Sequence, residues 1–236
     1  MMKFQFDATQ QYQLDAVASI VDIFKGQQRK SVQYSVIVGG EDLGTLPGFN
    51  EFGGNLGNVL GITEAEMRGN VREVQARNQI ADSGADTELS HWVIDDPING
   101  LPRACPHFTV EMETGTGKTY VYLRTIMELA KNYGYRKFVV VVPSIAVREG
   151  TLKSIEQTKN HLLTLYNEPV DSFVYDSKNV NRLRQFASSN SVEIMVINIQ
   201  AFVKGYAQNP DGDGEDSGNV IYRRSDKLSG KRHFSL

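Results

Sequence analysis

A glycine-rich stretch, Met112–Thr119 with the sequence METGTGKT, constrains this chain more than any other feature. The apolar run Phe108–Met112 leads into it, and Lys118–Asn132 follows with apolar residues at helical spacing. We therefore expect a buried strand, a tight loop and a helix, in that order. Glycines let such a loop curl so that its backbone N–H groups point inward, and the helix N-terminus adds the positive end of its dipole. This arrangement is typical of phosphate binding.

The residue types within the loop predict how a nucleotide is held. Lys118 is expected to reach the β- and γ-phosphates, and Thr119 is expected to ligate Mg²⁺ through its hydroxyl. These two are the candidate catalytic residues, and Thr119 is the candidate metal ligand. A chance glycine-rich turn is the alternative, which the order of strand, loop and helix disfavours. The loop residues predicted to bind the nucleotide are Thr114, Gly115, Thr116, Gly117, Lys118 and Thr119.

Strands and helices alternate after the loop, which indicates a parallel sheet flanked by helices. The run Lys137–Pro143 (KFVVVVP) is typical of a strand buried on both faces of such a sheet. In chain order, we then predict a helix, a strand, a helix and a strand at Ala146–Leu165, Asp171–Tyr175, Val180–Ser188 and Val192–Asn198. The predicted fold class is α/β, of the phosphate-loop NTPase type.

The chain divides by composition into four regions. Residues 1–26 are predicted to form an N-terminal helix, and residues 27–107 an insertion with several Gly and Asn clusters. Residues 108–207 carry the nucleotide-binding core. Residues 208–236 read as a polar and then basic tail, in a loop or disordered.

Two helices and one strand are predicted before the loop. Apolar residues at helical spacing indicate an amphipathic helix over Gln10–Lys25. Within the insertion, Val32–Val38 is a candidate strand. Thr63–Ala81 is a candidate helix, because its first residues resemble a capping box.

Composition excludes several classes of protein. The 236 residues carry a net charge of −3, so the chain has no global basic footprint. A single cysteine, Cys105, rules out a disulfide framework within the chain and a Cys-rich metal site. The N-terminus lacks a secretion signal, and no run of apolar residues is long enough to span a membrane. We therefore expect a cytoplasmic location.

The stretch Met112–Leu123 (METGTGKTYVYL) resembles the first motif of superfamily 2 helicases, and in particular that of the restriction (Res) subunit of type III restriction enzymes. The strict phosphate-loop pattern begins with Gly where this chain has Met112, a departure that the helicase form of the loop tolerates. Tyr12-Gln13 resembles the glutamine motif. The resemblance implies that Gln13 reads the adenine edge, since an amide donates and accepts at once.

Two further segments resemble motifs that contact the nucleic-acid strand in such helicases. Val142–Gly150 resembles the motif after the second core strand, where Ser144 and Arg148 are the candidate phosphate contacts. Ser144 is also a candidate helix N-cap, and both roles are compatible. Val196–Phe202 occupies the place of a later motif, where Asn198 and Gln200 are the polar candidates.

The resemblance implies a RecA-like first motor domain that binds ATP and Mg²⁺. It also implies a parent enzyme that translocates on double-stranded DNA for restriction cleavage, with a methyltransferase (modification) subunit as partner. The acidic motif, second motor domain and nuclease domain of that family are not found after Gln200. The chain is therefore expected to be a fragment, truncated before the acidic motif. Another superfamily 2 helicase, a type I restriction motor and a catalytically inactive nucleotide- or DNA-binding remnant are the alternatives.

Overall fold

The computed structural model describes residues 6–29, 58–80, 91–95, 102–201 and 223–224. Its helices are α1 to α5, at Gln11–Val21, Glu64–Arg77, Lys118–Tyr133, Ile145–Tyr166 and Val180–Ser188. Its strands are β1 to β6, at His91–Asp95, Pro102–Pro106, Lys137–Val142, Val170–Val174, Val192–Asn198 and Arg223–Arg224.

The core is a three-stranded parallel sheet in the order β3-β5-β4. The central strand β5 is almost completely buried, as its run of apolar residues requires. Helices α3 and α4 pack on one face, against Ile194 and Val196 of β5. Helix α5 covers the other face through Leu183 and Phe186, which contact Met195. The predicted α/β class with a parallel sheet flanked by helices is confirmed.

The prediction that β3 is buried on both faces is wrong for the described part of the chain. Val142 is buried in the core shared with α3 and α4. Val139 and Val141 point to the opposite face and are 48% and 49% exposed. The reason is that α5 packs against the Phe173 and Met195 side of the sheet and leaves β3 uncovered there.

The segment before the phosphate loop also differs from the prediction. Phe108–Met112 forms no strand beyond an isolated bridge at Thr109, and it is only partly buried. The described parallel sheet contains only β3, β5 and β4. The segment is held by side-chain packing instead. Phe108 contacts the cluster around Ile23 and Met67, and Met112 contacts the cluster shared by α1 and α3.

The two helices predicted before the loop are present, with shorter bounds. Helix α1 continues as a single 3-10 turn over Asp22–Phe24, which replaces the last residues of the predicted helix. Helix α2 begins with a complete capping box: Glu66 N–H donates to the Thr63 side chain, and the Thr63 N–H donates to the Glu66 carboxylate. Helix α1 packs along α3 through Val17 and Val21.

A second, antiparallel sheet in the order β2-β1-β6 was not predicted. Its strand β6, Arg223–Arg224, pairs with Val93 and Trp92 of β1. These two residues lie in the region predicted to be a tail in a loop or disordered, so that prediction is wrong for them. The predicted strand Val32–Val38 lies outside the described residues, as does the rest of the predicted tail. None of the helices in the described segments is long and apolar enough to cross a membrane.

Candidate nucleotide-binding site

The glycine-rich loop forms a tight turn at the start of α3. Gly115 and Gly117 have φ angles of +84° and +88°, a conformation that only glycine adopts without strain. Thr116 closes the turn by donating its hydroxyl to the Glu113 carbonyl at 2.7 Å. Gly117 is the N-cap of α3, and no side chain caps the first N–H groups of this helix. The loop therefore presents uncapped donors and the positive end of a 16-residue helix, which suit an anion.

The two candidate catalytic residues, Lys118 and Thr119, are the first two residues of α3 after the loop. Lys118 opens α3 and is exposed, while Thr119 is partly buried. Burial raises the pKa of Tyr122, one turn further on, and the nearby hydroxyls of Thr151 and Thr119 act in the opposite direction. Thr119 therefore lies on the side of α3 that faces α4.

Gln13 of α1 reaches the loop directly. Its side-chain amide donates to the Thr116 carbonyl at 2.9 Å, and the residue is only 8% exposed. A Cβ atom added to Gly117 would lie 2.7 Å from the Gln13 amide nitrogen. In this structure Gln13 thus braces the phosphate loop, and its proposed contact with adenine stays a prediction.

A cavity of about 550 Å³ opens beside the loop and is shared by α1, the end of α2 and the loop itself. Its apolar walls come from the Tyr12 ring and from aliphatic residues on three segments, while its charged groups are all carboxylates. The lining residues are Tyr12, Asp15, Ala16, Ser19, Asn78, Ile80, Val110, Glu111, Met112, Glu113 and Thr116. Since no lysine or arginine lines it, the cavity suits a flat and uncharged group rather than a phosphate.

A polar network ties the segment before α1 to α3. Arg124 donates to the Ala8 carbonyl at 2.6 Å and to the Tyr166 hydroxyl at 3.2 Å. Phe6 stacks on Tyr120, whose hydroxyl lies 2.9 Å from Nε2 of His161. Burial lowers the pKa of His161, and the Arg124 charge lowers it further. The network fixes the start of α1, and hence Gln13, over the loop.

The four residues predicted to contact nucleic acid lie near the carboxyl ends of β3 and β5. Ser144 accepts a hydrogen bond from Val147 N–H at 3.3 Å, which confirms it as the N-cap of α4. Asn198 ends β5 opposite Val142 of β3. Gln200 donates to the Pro143 carbonyl at 3.0 Å, which links the two strand ends.

Arg148, the fourth candidate for a nucleic-acid contact, already has a partner within the chain. Its guanidinium pairs with the adjacent Glu149 at 2.8 Å, and its side chain is 25% exposed. Because α3 runs away from the loop and β3 returns beside it, the loop and these strand ends lie at the same end of the domain. The structure thus brings the phosphate-loop and nucleic-acid candidates to one edge.

Thr119 is the predicted metal ligand at this loop. No group of three or more His, Cys, Asp or Glu side chains within the described residues is arranged to hold a metal ion. The predicted role of Thr119 as a Mg²⁺ ligand stays a prediction. The loop conformation and the uncapped start of α3 suit a phosphate group.

The sequence missed Asn78 and Arg124, which take part in the cavity and the α1 tether. Asn78 follows the last residue of α2, and an Asn at the end of a predicted helix is a usual C-terminal signal. That signal locates the residue but not the cavity, which only the packing of α2 beside the loop creates. Arg124 lies within α3 and carries no sequence signal.

Comparisons with known proteins agree on one family. The family model "Type III restriction enzyme, res subunit" matches residues 72–224. The EcoP15I Res subunit of Escherichia coli is 32% identical over 121 residues, which cover 50% of this chain and 11% of that protein. The EcoPI Res subunit of Escherichia phage P1 is 31% identical over 121 residues, with the same coverage. The StyLTI Res subunit of Salmonella typhimurium is 49% identical over 59 residues, 24% of this chain and 6% of that protein. The matched part of this chain therefore spans about a tenth or less of the length of these relatives.

Proposed function

The chain belongs to the family of type III restriction enzyme res subunits, and we propose that it forms the ATP-binding part of a DNA translocase. The observation that carries this proposal is the loop at the start of α3, with its two left-handed glycines and uncapped helix N-terminus. Together these features suit the binding of a phosphate group. Residues 108–207 form the core of this unit, after the helix in 1–26 and the insertion in 27–107.

Each loop residue has a proposed role toward the nucleotide. The backbone of Thr114–Gly117 surrounds the phosphates, and the Lys118 ammonium neutralises the β- and γ-phosphates. Thr119 would hold Mg²⁺ through its hydroxyl, and the bound ion would supply neutralisation of the phosphate charge. The base occupies the cavity beside Tyr12, because that cavity adjoins the loop through Glu113 and Thr116 and carries no positive charge of its own.

We assign the strand-end residues Ser144, Arg148, Asn198 and Gln200 to the DNA backbone. This assignment is supported by the position of these residues near the carboxyl ends of β3 and β5, since ligands bind at that edge of parallel sheets. In the whole protein, the proposed activity is translocation on double-stranded DNA, coupled to cleavage, together with a modification methyltransferase subunit in the cytoplasm. The similarity to Res subunits of type III restriction-modification enzymes supports this assignment.

Replacing the loop lysine tests nucleotide binding. Lys118→Ala should weaken the binding of MgATP roughly 30-fold, because a hydrogen bond to a charged group is worth on the order of 2 kcal/mol. Titration calorimetry on the 236-residue chain measures the effect. Lys131→Ala, in the last turn of the same helix, is the matched control and should bind normally. Equal affinity in wild type and Lys118→Ala would show that the loop is not the phosphate site.

A further inference from the structure

The end of α2 enters the cavity beside the phosphate loop, although α2 belongs to the predicted insertion and not to the core. Asn78 and Ile80 line the cavity from this side, together with Tyr12 and Asp15 of α1. Gln79, between them, has a φ angle of +57°, and the Ile80 N–H donates to the Gln75 carbonyl at 2.9 Å. The left-handed residue thus turns the chain so that both of its neighbours face the cavity.

The Asn78 side chain is held in one orientation. Its amide nitrogen donates to the Val74 carbonyl at 2.9 Å and to the Ser19 hydroxyl at 3.0 Å. Ser19 in turn donates to the Asp15 carbonyl at 2.7 Å, so its oxygen is free to accept from Asn78. A flip of the amide would lose both Asn78 bonds. Both N–H groups are therefore committed, and only the Oδ1 atom remains to meet a ligand.

The Asn78 Oδ1 atom has no hydrogen-bond donor among the described residues. It is an acceptor in a cavity whose charged side chains, Asp15, Glu111 and Glu113, are acceptors as well. Of the carboxylates, Asp15 already accepts from Gln11 at 2.8 Å. A flat ligand that brings its own N–H donors matches these groups, whereas a ligand with a carbonyl at the same place meets a repulsive oxygen.

We propose that Asn78 is a base-specificity residue that accepts a hydrogen bond from the exocyclic amino group of an aminopurine. The inference rests on the proposed function, because it needs a nucleotide whose phosphates occupy the loop. It gives α2 a role in nucleotide selection. It adds a second amide beside the loop, which Gln13 of α1 already contacts at the Thr116 carbonyl.

The test compares ATP with purine riboside triphosphate, which lacks only the 6-amino group, and with inosine triphosphate, which carries an oxygen there. Titration calorimetry with Mg²⁺ on the 236-residue chain gives the three affinities. Wild type should bind ATP about fivefold more tightly than purine riboside triphosphate, as expected for one hydrogen bond. Inosine triphosphate should bind more weakly than both.

Asn78→Ala should bring the ratio of ATP to purine riboside triphosphate affinity close to one, with the affinity for purine riboside triphosphate unchanged. Asn132→Ala, an exposed asparagine on α3, is the matched control and should keep the wild-type ratio. A ratio near one in wild type, or a wild-type ratio in Asn78→Ala, would overturn the role of Asn78 while leaving ATP binding intact. Failure of wild type to bind any of the three triphosphates would overturn the proposed function and this inference together.

Discussion

At the residue scale, the two loop glycines show why a short motif can predict a conformation. Both residues adopt positive φ angles, so any side chain there is strained. Their surroundings differ, however. A Cβ atom at Gly115 meets nothing within 4 Å, whereas one at Gly117 collides with the Gln13 amide nitrogen. The sequence predicts the glycine conformation at both positions. The packing of α1 on the loop adds a steric reason for glycine at Gly117 alone.

This difference predicts unequal effects of the two alanine substitutions. Gly115→Ala should lower the free energy of unfolding by about 1 kcal/mol through backbone strain alone. Gly117→Ala should lower it by about 2 kcal/mol, because it also displaces Gln13 from the Thr116 carbonyl. Urea unfolding measures both values.

A double variant is the control for the Gly117 prediction. In a Gln13→Ala background, Gly117→Ala should cost no more than Gly115→Ala does, since no amide remains to be displaced. If Gly117→Ala still lowered the free energy of unfolding by about 2 kcal/mol in that background, the contact with Gln13 would contribute nothing to the effect.

At the element scale, a cluster of ion pairs connects β5, β3 and α5 at the amino end of the parallel sheet, away from the candidate site. Glu193 of β5 is 4% exposed at its side chain and lies 2.8 Å from Arg182 of α5 and 3.4 Å from Lys137 of β3. Burial by itself raises the pKa of Glu193. The hydrogen bonds from Ser189 and Arg182, together with the charges of Lys137 and Arg182, leave the pKa below its ordinary value. Lys137 also lies over the Phe186 ring and Arg182 over the Phe173 ring, and these contacts join the charged cluster to the core.

Removing the Glu193 charge should therefore destabilise the domain. Glu193→Gln should lower the free energy of unfolding by about 3 kcal/mol at neutral pH, because Lys137 is left buried without a counter-charge. Glu149→Gln, which removes an exposed pair with Arg148, is the control and should change it by less than about 1 kcal/mol. Denaturant unfolding measures both variants.

The same cluster predicts the direction of a pH effect. The folded-state pKa of Glu193 lies below 4.5, so folding favours the ionised carboxylate. The stabilisation is thus present above pH 4.5 and is lost as the pH falls through the folded-state pKa. Wild type should lose stability relative to Glu193→Gln over that acidic window. Parallel stability curves of the two proteins below pH 4.5 would contradict the assignment.

At the scale of the whole molecule, the described residues provide one side of the proposed nucleotide site. Thr114, Gly115 and Lys118 are exposed to solvent, and no carboxylate cluster within the described segments is placed to hold a metal ion. The matched part covers 11% of the length of the EcoP15I relative. Binding of phosphates needs only the loop, whereas hydrolysis needs groups that orient water and exclude bulk solvent.

The chain by itself is therefore expected to bind ATP weakly and to hydrolyse it negligibly. Phosphate release from the purified 236-residue chain, with and without double-stranded DNA, measures this. The rate should equal that of Lys118→Ala, which serves as the background. A robust rate that Lys118→Ala abolishes would show that the described loop assembles a complete catalytic site.

The sequence by itself determined the described helices, the strands of the parallel sheet and the α/β class. The capping box at Thr63, the N-cap at Ser144 and the buried run of β5 are local signals, and local signals depend only on neighbouring residues. It also determined the loop conformation, since glycine alone adopts these φ angles freely.

Only the tertiary structure decided which surfaces meet. It left one face of β3 open, because α5 packs on β4 and β5, and it held Phe108–Met112 by side-chain packing without a strand. It also turned Gln13 toward the Thr116 carbonyl and placed Asn78 in the cavity beside the loop. These outcomes depend on contacts between residues far apart in the chain, and neither periodicity nor spacing encodes which distant surface a side chain will reach.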